Sequence, residues 1–343
     1  MKDIPLHRVA LIKPFAEFLG DVGASYERGF RKNKIPITAL DDINLYIPSH
    51  RFWSFCEYMA KKEGIDSLGF LVGKRFGANS IDPNFHKVLA CSPSLFRGLL
   101  TYINLAKKTV SKNKVWLYQP PNSEVIRVYN KASLERSHPA FHQIDWFGLM
   151  AIVGIVQVFA GPNWRPTEIG TSSREKPSRA IQDHLSNTRI ITTHHYSYIT
   201  VENSQLHKPP FAQHDKAAQM SKDLSVLNYE NIPNDFVTSF KSILKSYYMD
   251  FYPTLDLSAE ICAIQKRTLQ RYLKNQGSSF NKAMSEVSFD IGKDLLLNPD
   301  LDINDVAREL HYSNSAHFAR AFRRVYGVSP TEYRRDQIIA RSG

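Results

Sequence analysis

The sequence predicts an α+β domain followed by an all-α domain of two helix-turn-helix units joined by a linker helix. Three observations carry this expectation. Residues 301–335, LDINDVARELHYSNSAHFARAFRRVYGVSPTEYRR, read as two short amphipathic helices around a break at His311-Tyr312-Ser313. Residues 258–277 repeat the plan, with a break near Gln265 and Gly277 as the terminating glycine. Roughly the first 200 residues differ, interleaving long helical patterns with short alternating runs. At 343 residues the chain has room for about two domains.

In the N-terminal part, helical periodicity covers 14–31, 51–62, 67–76, 93–109 and 140–160. Residues 114–119 and 124–130 alternate as strands and are joined by Pro120-Pro121-Asn122-Ser123, which predicts a hairpin; further strands are expected at 188–193 and 196–202. The aromatic run Tyr46, Phe52, Trp53, Phe55, Tyr58 is assigned to the core. Helix 144–160 is assigned there too, and is also a candidate wall for a ligand pocket. The longest apolar run, 147–160, is several residues short of the roughly 20 needed to span a bilayer. No signal-peptide core is evident at the N-terminus. The three cysteines, Cys56, Cys91 and Cys262, form no CxxC pattern. The expectation is a soluble cytoplasmic protein with no membrane partner. His184, His194, His195, His207 and His214 fit no metal-ligand spacing, so neither metal nor cofactor is expected. Residues 206–235 read as a linker with a helix near 211–227, which sets the domains at 1–205 and 236–343.

The C-terminal part is read from its two breaks, which define units at about 255–276 and 303–325. Ser258 to Ile264 is the first short helix and Lys266 to Asn275 the second. Leu269 and Leu273 form its buried side, leaving Arg267, Gln270, Arg271 and Lys274 outside. Residues 289–297 are the expected linker helix, stopped by Asn298-Pro299. Ile303, Val306, Ala307 and Leu310 share one face of the next helix. Ser313 is the expected N-cap of helix 314–325, with Phe318, Phe322 and Val325 inward and Asn314, Ser315, His317, Arg320, Arg323 and Arg324 outward.

The net charge of +11 favours a polyanionic partner, but its distribution says more. Residues 261–285 carry +5 with no acid, 286–309 carry −5, and 311–335 carry +4. Two basic helices flanking an acidic spacer suit two phosphate-contacting faces on double-stranded DNA. Arg and Gln can pair bidentately with guanine and adenine edges. Residues 1–232 hold 29 basic and 20 acidic residues, so most of the excess charge lies outside these helices and is read as solvated surface.

TLQRYL at 268–273, the turn Gly277-Ser278-Ser279-Phe280, the motif at 301–335 and its closing GVSPTEYR resemble the AraC/XylS family of bacterial transcription regulators. The resemblance covers about 85 residues. It implies two helix-turn-helix units reading adjacent major-groove segments. By motif position, Arg267, Gln270 and Arg271 in the first unit, and Ser315, Ala316, Ala319 and Arg320 in the second, become base contacts. The alanines offer only apolar contact, as to a thymine methyl. Lys266, Lys274, Arg323 and Arg324 are assigned to phosphates.

Some positions depart from the family pattern. Ser258 and Cys262 stand where aliphatic residues are usual, Gln265 where a capping serine is usual, and His311 where a turn glycine is usual. Ser288 and Gly292 replace the common Arg and Ala of the linker helix, which predicts a less rigid linker. Residues 92–100, SPSLFRGLL, resemble the arabinose-binding-type sensor domain of some family members, such as regulators of ornithine use.

The expected function is therefore a sequence-specific DNA-binding regulator sensing a small-molecule effector. RNA polymerase is a further candidate partner, and monomer and dimer both remain open. Two alternatives are a DNA-targeted enzyme, such as an alkyl-transfer repair protein, and an architectural DNA-binding protein. The first needs a reactive cysteine in a basic or metal-bound setting, which none of the three has, so no catalytic residue is expected. The second has no use for a sensor-like domain.

Overall fold

The computed structural model describes residues 3–193, 195–212 and 229–342. Two compact units divide the chain, one of residues 4–233 and one built from 234–343. The first contains, in order, β1 (Leu6–Arg8), α1 (Lys13–Asp21), α2 (Tyr26–Asn33), β2 (Tyr46–Pro48), α3 (Ser49–Lys62), α4 (Leu68–Phe76), α5 (Phe85–Ala90), α6 (Leu95–Thr109), β3 (Lys114–Tyr118), β4 (Val125–Lys131), α7 (Phe141–Ala160), β5 (Glu168–Thr171), α8 (Arg179–His184), β6 (Arg189–Thr192) and β7 (Ser197–Glu202). This is the expected α+β class. β1 and β2 form a small antiparallel pair, while the other strands form one sheet in the order β3-β4-β7-β5-β6, with only β5 and β6 parallel.

Helix α7 is the spine of this unit. With its N-terminal turn it is 20 residues long, so it passes by length and composition as a membrane span, contrary to the shorter run expected from sequence. Yet 78% of its apolar window is buried inside the unit, as for a core helix. Its backbone lies directly on α4: a Cβ on Gly69 would come within 1.8 Å of the Gln143 carbonyl oxygen. The acid within it, Asp145, accepts from Ser197 Oγ at 2.5 Å and Thr171 Oγ1 at 2.7 Å, which ties the helix to β7 and β5. Strand β4 alternates as a half-buried strand must, turning Ile126, Val128 and Asn130 inward.

The expected helix 14–31 is two helices, because Gly23 adopts φ +78° in the break between them. The expected hairpin is present, with Asn122 at φ 55° in its turn. β1, β2, β5, α5 and α8 were not anticipated; at three to six residues each they are too short for a period to show. The SPSLFRGLL stretch starts α6: Ser94 caps it, and the amides of Leu95 and Phe96 donate to the carbonyls of Lys208 and Leu206. Residues 206–211, read as the start of the linker, are thus docked, Phe211 through its amide on the Val158 carbonyl. The expected linker helix near 211–227 lies, but for its first two residues, outside the described residues.

The second unit contains α9 (Phe236–Phe251), α10 (Leu255–Ile261), α11 (Lys266–Asn275), α12 (Phe280–Leu296), α13 (Ile303–Glu309), α14 (Ser315–Tyr326) and α15 (Pro330–Ser342). The all-α expectation holds, with two differences. α9 was not anticipated, although it buries Phe236, Phe240, Ile243, Leu244, Tyr247 and Tyr248. The linker helix α12 begins at Phe280 rather than Phe289, because Ser279 caps it by accepting from the Lys282 amide.

α9 braces α12 through Lys241–Glu286 at 3.0 Å and Lys245–Asp294 at 3.1 Å, partly exposed pairs worth about 0–1 kcal/mol each. The stronger tie is the buried Tyr248 hydroxyl, 2.9 Å from Ser288 Oγ on α12 and 3.1 Å from the Leu310 carbonyl after α13. A carbonyl only accepts, so the phenol proton serves Leu310. Tyr248→Phe strands that carbonyl and is expected to destabilise the second unit by about 1–3 kcal/mol, measured by denaturant unfolding with a probe in this unit. An unchanged unfolding midpoint would show that the hydroxyl carries no load.

Candidate functional site

Both helix pairs of the second unit are built on the same turn. After α10, the amides of Ala263 and Ile264 donate to the carbonyls of Glu260 and Ala259, each at 3.0 Å. After α13, the amides of His311 and Tyr312 donate to Arg308 and Ala307, each at 2.9 Å. The second bond of each pair closes six residues onto one, and the residue that permits it is left-handed: Ala263 at φ 53° and His311 at φ 60°. His311 was expected in that role, and its ring packs 4.2 Å from the Tyr252 ring. Ala263 was missed, because the break was placed near Gln265.

The caps differ between the units. Thr254 caps α10 by accepting from the Leu257 amide, but Gln265 ahead of α11 makes no side-chain cap bond. In the second helix pair Asp302 and Asp305 form a capping box on α13. α14 is capped by Asn314, which accepts from the His317 amide at 2.8 Å, not by Ser313 as expected. The helix starts at Ser315, which puts Asn314 at the position from which an acceptor reaches that amide.

Leu269 and Leu273 bury one side of α11, and Lys266, Arg267, Gln270, Arg271 and Lys274 are exposed on the other. On α14, Phe318 and Phe322 are buried; Ala316, Arg320, Arg323 and Arg324 are exposed, with Ser315 and Ala319 half-buried. Val325 is 52% exposed, which corrects its inward assignment. Tyr326 takes the inner place, its ring 4.6 Å from Phe322 and 6.0 Å from Phe289. Lys266 pairs with Asp256 at 2.8 Å, both side chains being exposed. Arg334 leaves the basic stripe: its Nε donates to the Leu296 carbonyl at 2.7 Å, closing the end of α12.

The acidic spacer is largely engaged internally. Glu286, Asp290, Asp294 and Asp305 pair with Lys241, Lys293, Lys245 and Arg308, and Asp302 is in the capping box. The two linker departures have packing reasons. Ser288 meets Tyr248, and a Cβ on Gly292 would come within 2.9 Å of Leu310 Cδ1, so the glycine lets α12 lie close under the end of α13.

Residues 258–336 match the family described as helix-turn-helix domain, and this part of the chain is a helix-turn-helix domain of the AraC type. An uncharacterized HTH-type transcriptional regulator of Mycobacterium tuberculosis is 38% identical over 85 residues, covering 24% of each chain. The HTH-type transcriptional regulator VqsM of Pseudomonas aeruginosa is 33% identical over 85 residues, covering 25% of this chain and 26% of that one. The chain thus matches about a quarter of the length of these relatives. The crystal structure of the transcriptional regulator CdpR from Pseudomonas aeruginosa aligns over 94% of this chain and 96% of its own, at 15% identity and a TM-score of 0.43.

The first unit contains a small, partly enclosed cavity. His7, Phe52, Tyr102, Asn130, Ile144 and Phe147 are among its walls, so α7 does contribute to a pocket. His7 Nδ1 lies 2.7 Å from Ser49 Oγ, and burial pushes the imidazole down to about 3, which keeps it neutral. Beside this cavity Arg8 stacks between Tyr46 and Tyr229, 4.5 and 4.1 Å from their centroids, and donates to the Glu230 carbonyl at 3.1 Å. The Tyr229 hydroxyl donates to Asp82. Burial, and then that bond, push its phenol well up. Arg8, Asp82 and Tyr229 are 74 to 221 residues apart and form no motif, so sequence reading missed them.

Two changes test this geometry. Gln265→Ser supplies the missing cap and is expected to stabilise the second unit by about 1 kcal/mol in denaturant melts; a loss of stability would mean that the glutamine has another role. For His7 the folded value of about 3 lies below the ordinary 6.5, so below pH 6.5 the unfolded chain binds a proton that the folded chain does not. Its contribution is present above pH 6.5 and is lost as pH falls toward 3. His184, lowered to about 4 by burial and then by Lys74 and Arg165, acts in the same direction. The first unit should therefore melt at lower temperature as pH falls through this window, and His7→Gln should flatten the slope.

Proposed function

We propose that the chain is a sequence-specific, effector-responsive transcription regulator. The observation that carries the DNA half is the pair of exposed basic helices α11 and α14, mounted on one repeated turn within a helix-turn-helix domain. Arg267, Gln270 and Arg271 read bases in one major-groove segment, and Ser315, Ala316, Ala319 and Arg320 read the next. Lys266, Lys274, Arg323 and Arg324 engage phosphates. The effector half is supported by the cavity beside His7 and by the Tyr229 clamp, which grips the chain just before the second unit begins at Asn234. Against the alkyl-transfer alternative, burial pushes the Cys56 thiol up and Cys262 is buried too, which leaves half-buried Cys91 as the cysteine whose substitution tests it.

Because α11 and α14 differ in sequence, one chain should protect two unlike segments about 10 bp apart. Inserting about 5 bp between them turns one segment to the opposite face, and affinity should fall to that of a single unit. Tolerance of the insertion would mean that the two units do not bind as a rigid pair. Arg320→Ala is expected to cost about 1–3 kcal/mol on the operator and far less on random DNA. Equal losses on both would reduce Arg320 to a phosphate contact.

A further inference from the structure

We propose that the cavity beside Asn130 takes a small uncharged molecule with an apolar body and one hydrogen-bond donor, the donor pairing with Asn130 Oδ1. The proposal rests on reading residues 4–233 as the sensor. Asn130 follows Ile126 and Val128 on the inward row of β4, where a third aliphatic side chain would serve a plain core. It is 5% exposed, and its Oδ1 is buried without a hydrogen-bond partner. An unsatisfied buried acceptor destabilises a fold, so its presence against a cavity points to a partner that arrives from outside.

The surroundings are shaped to the carboxamide. Gly148 interrupts the apolar run of α7, and a Cβ there would come within 2.5 Å of Asn130 Nδ2. Glycine is a poor helix-interior residue, but here it gives the carboxamide its room. The other walls include Leu11, Phe52, Ile81 and Phe147, and no Lys, Arg, Asp or Glu lines the cavity. A charged ligand would leave water for a site with nothing to pair it. His7 reinforces this, since its imidazole is held neutral. The position also suits a sensor. His7 and Ile81 line the cavity, and the residues that follow them, Arg8 and Asp82, are the two that hold Tyr229.

The test uses the full chain with defined probes: phenol and benzyl alcohol as neutral donors, toluene as the donor-free control, and benzoate and benzylammonium as the charged ones. Thermal shift and calorimetry should show the two neutral donors raising the melting temperature with dose and binding at least about tenfold tighter than the other three. Asn130→Leu should fold, melt no lower than the parent, and lose the preference of phenol over toluene. If that variant does not fold, Gly148→Ala supplies the second arm: it crowds the carboxamide and should remove the same preference. Equal binding of benzoate and benzyl alcohol, a donor preference that survives both substitutions, or no binding of the neutral donors overturns the proposal. Operator footprints separate it from the sensor reading: probes that bind with donor selectivity yet leave the footprint unchanged establish the site and remove its regulatory role.

Discussion

Helices α11 and α14 keep a fixed relation only if α12, which connects their two helix pairs, is held in place, and the buried Tyr248 phenol is the side chain that does most to hold it. From the buried face of α9 it reaches Ser288 on α12 and the Leu310 carbonyl at the end of the second turn. Its ring lies 5.8 Å from His311, and the Tyr252 ring, one turn further along, packs 4.2 Å from that histidine. One side chain thus joins three elements, among them the left-handed residue on which the direction of α14 depends. A left-handed non-glycine residue costs roughly 1–2 kcal/mol, and two aromatic rings packed on the histidine offset that cost in a way that glycine does not permit.

The basic faces were legible because they rest on local pattern. Leu269 with Leu273, and Phe318 with Phe322, mark the inner sides at helical spacing, and the exposed charges follow from them. The errors came where a tertiary partner overrides the period. Val325 has inward spacing, but Tyr326 finds Phe289 and takes the place. Ser288 and Gly292 read as losses of rigidity when compared with family residues; against Tyr248 and Leu310 they are fitted contacts. α9 escaped notice because its role is defined by what it packs on rather than by any motif.

The N-terminal unit was legible in class and in its longer helices, and much less in its short strands or its chemistry. Its informative residues are single ones far apart in sequence. Asn130 would have been visible as a polar residue on the inward row of an alternating strand, had the direction of that row been known. Arg8 carries a comparable signal only after folding, when a buried guanidinium between two tyrosines must have a reason to leave water. The reason is the clamp: the carbonyl of Glu230 and the stacked Tyr229 ring both belong to a stretch that the sequence alone assigns to a linker.

The two halves of the DNA-binding domain are unequal in build. The second has a capping box, a capped α14 and a braced turn residue. The first has a second helix, α11, without a side-chain cap, Ala263 in a left-handed turn, and Ser258 Oγ buried without a hydrogen-bond partner. Each of these three features costs on the order of 1 kcal/mol, and all fall on the same small unit. In a domain whose total stability is about 5–15 kcal/mol, three such costs on α10 and α11 are a sizeable share.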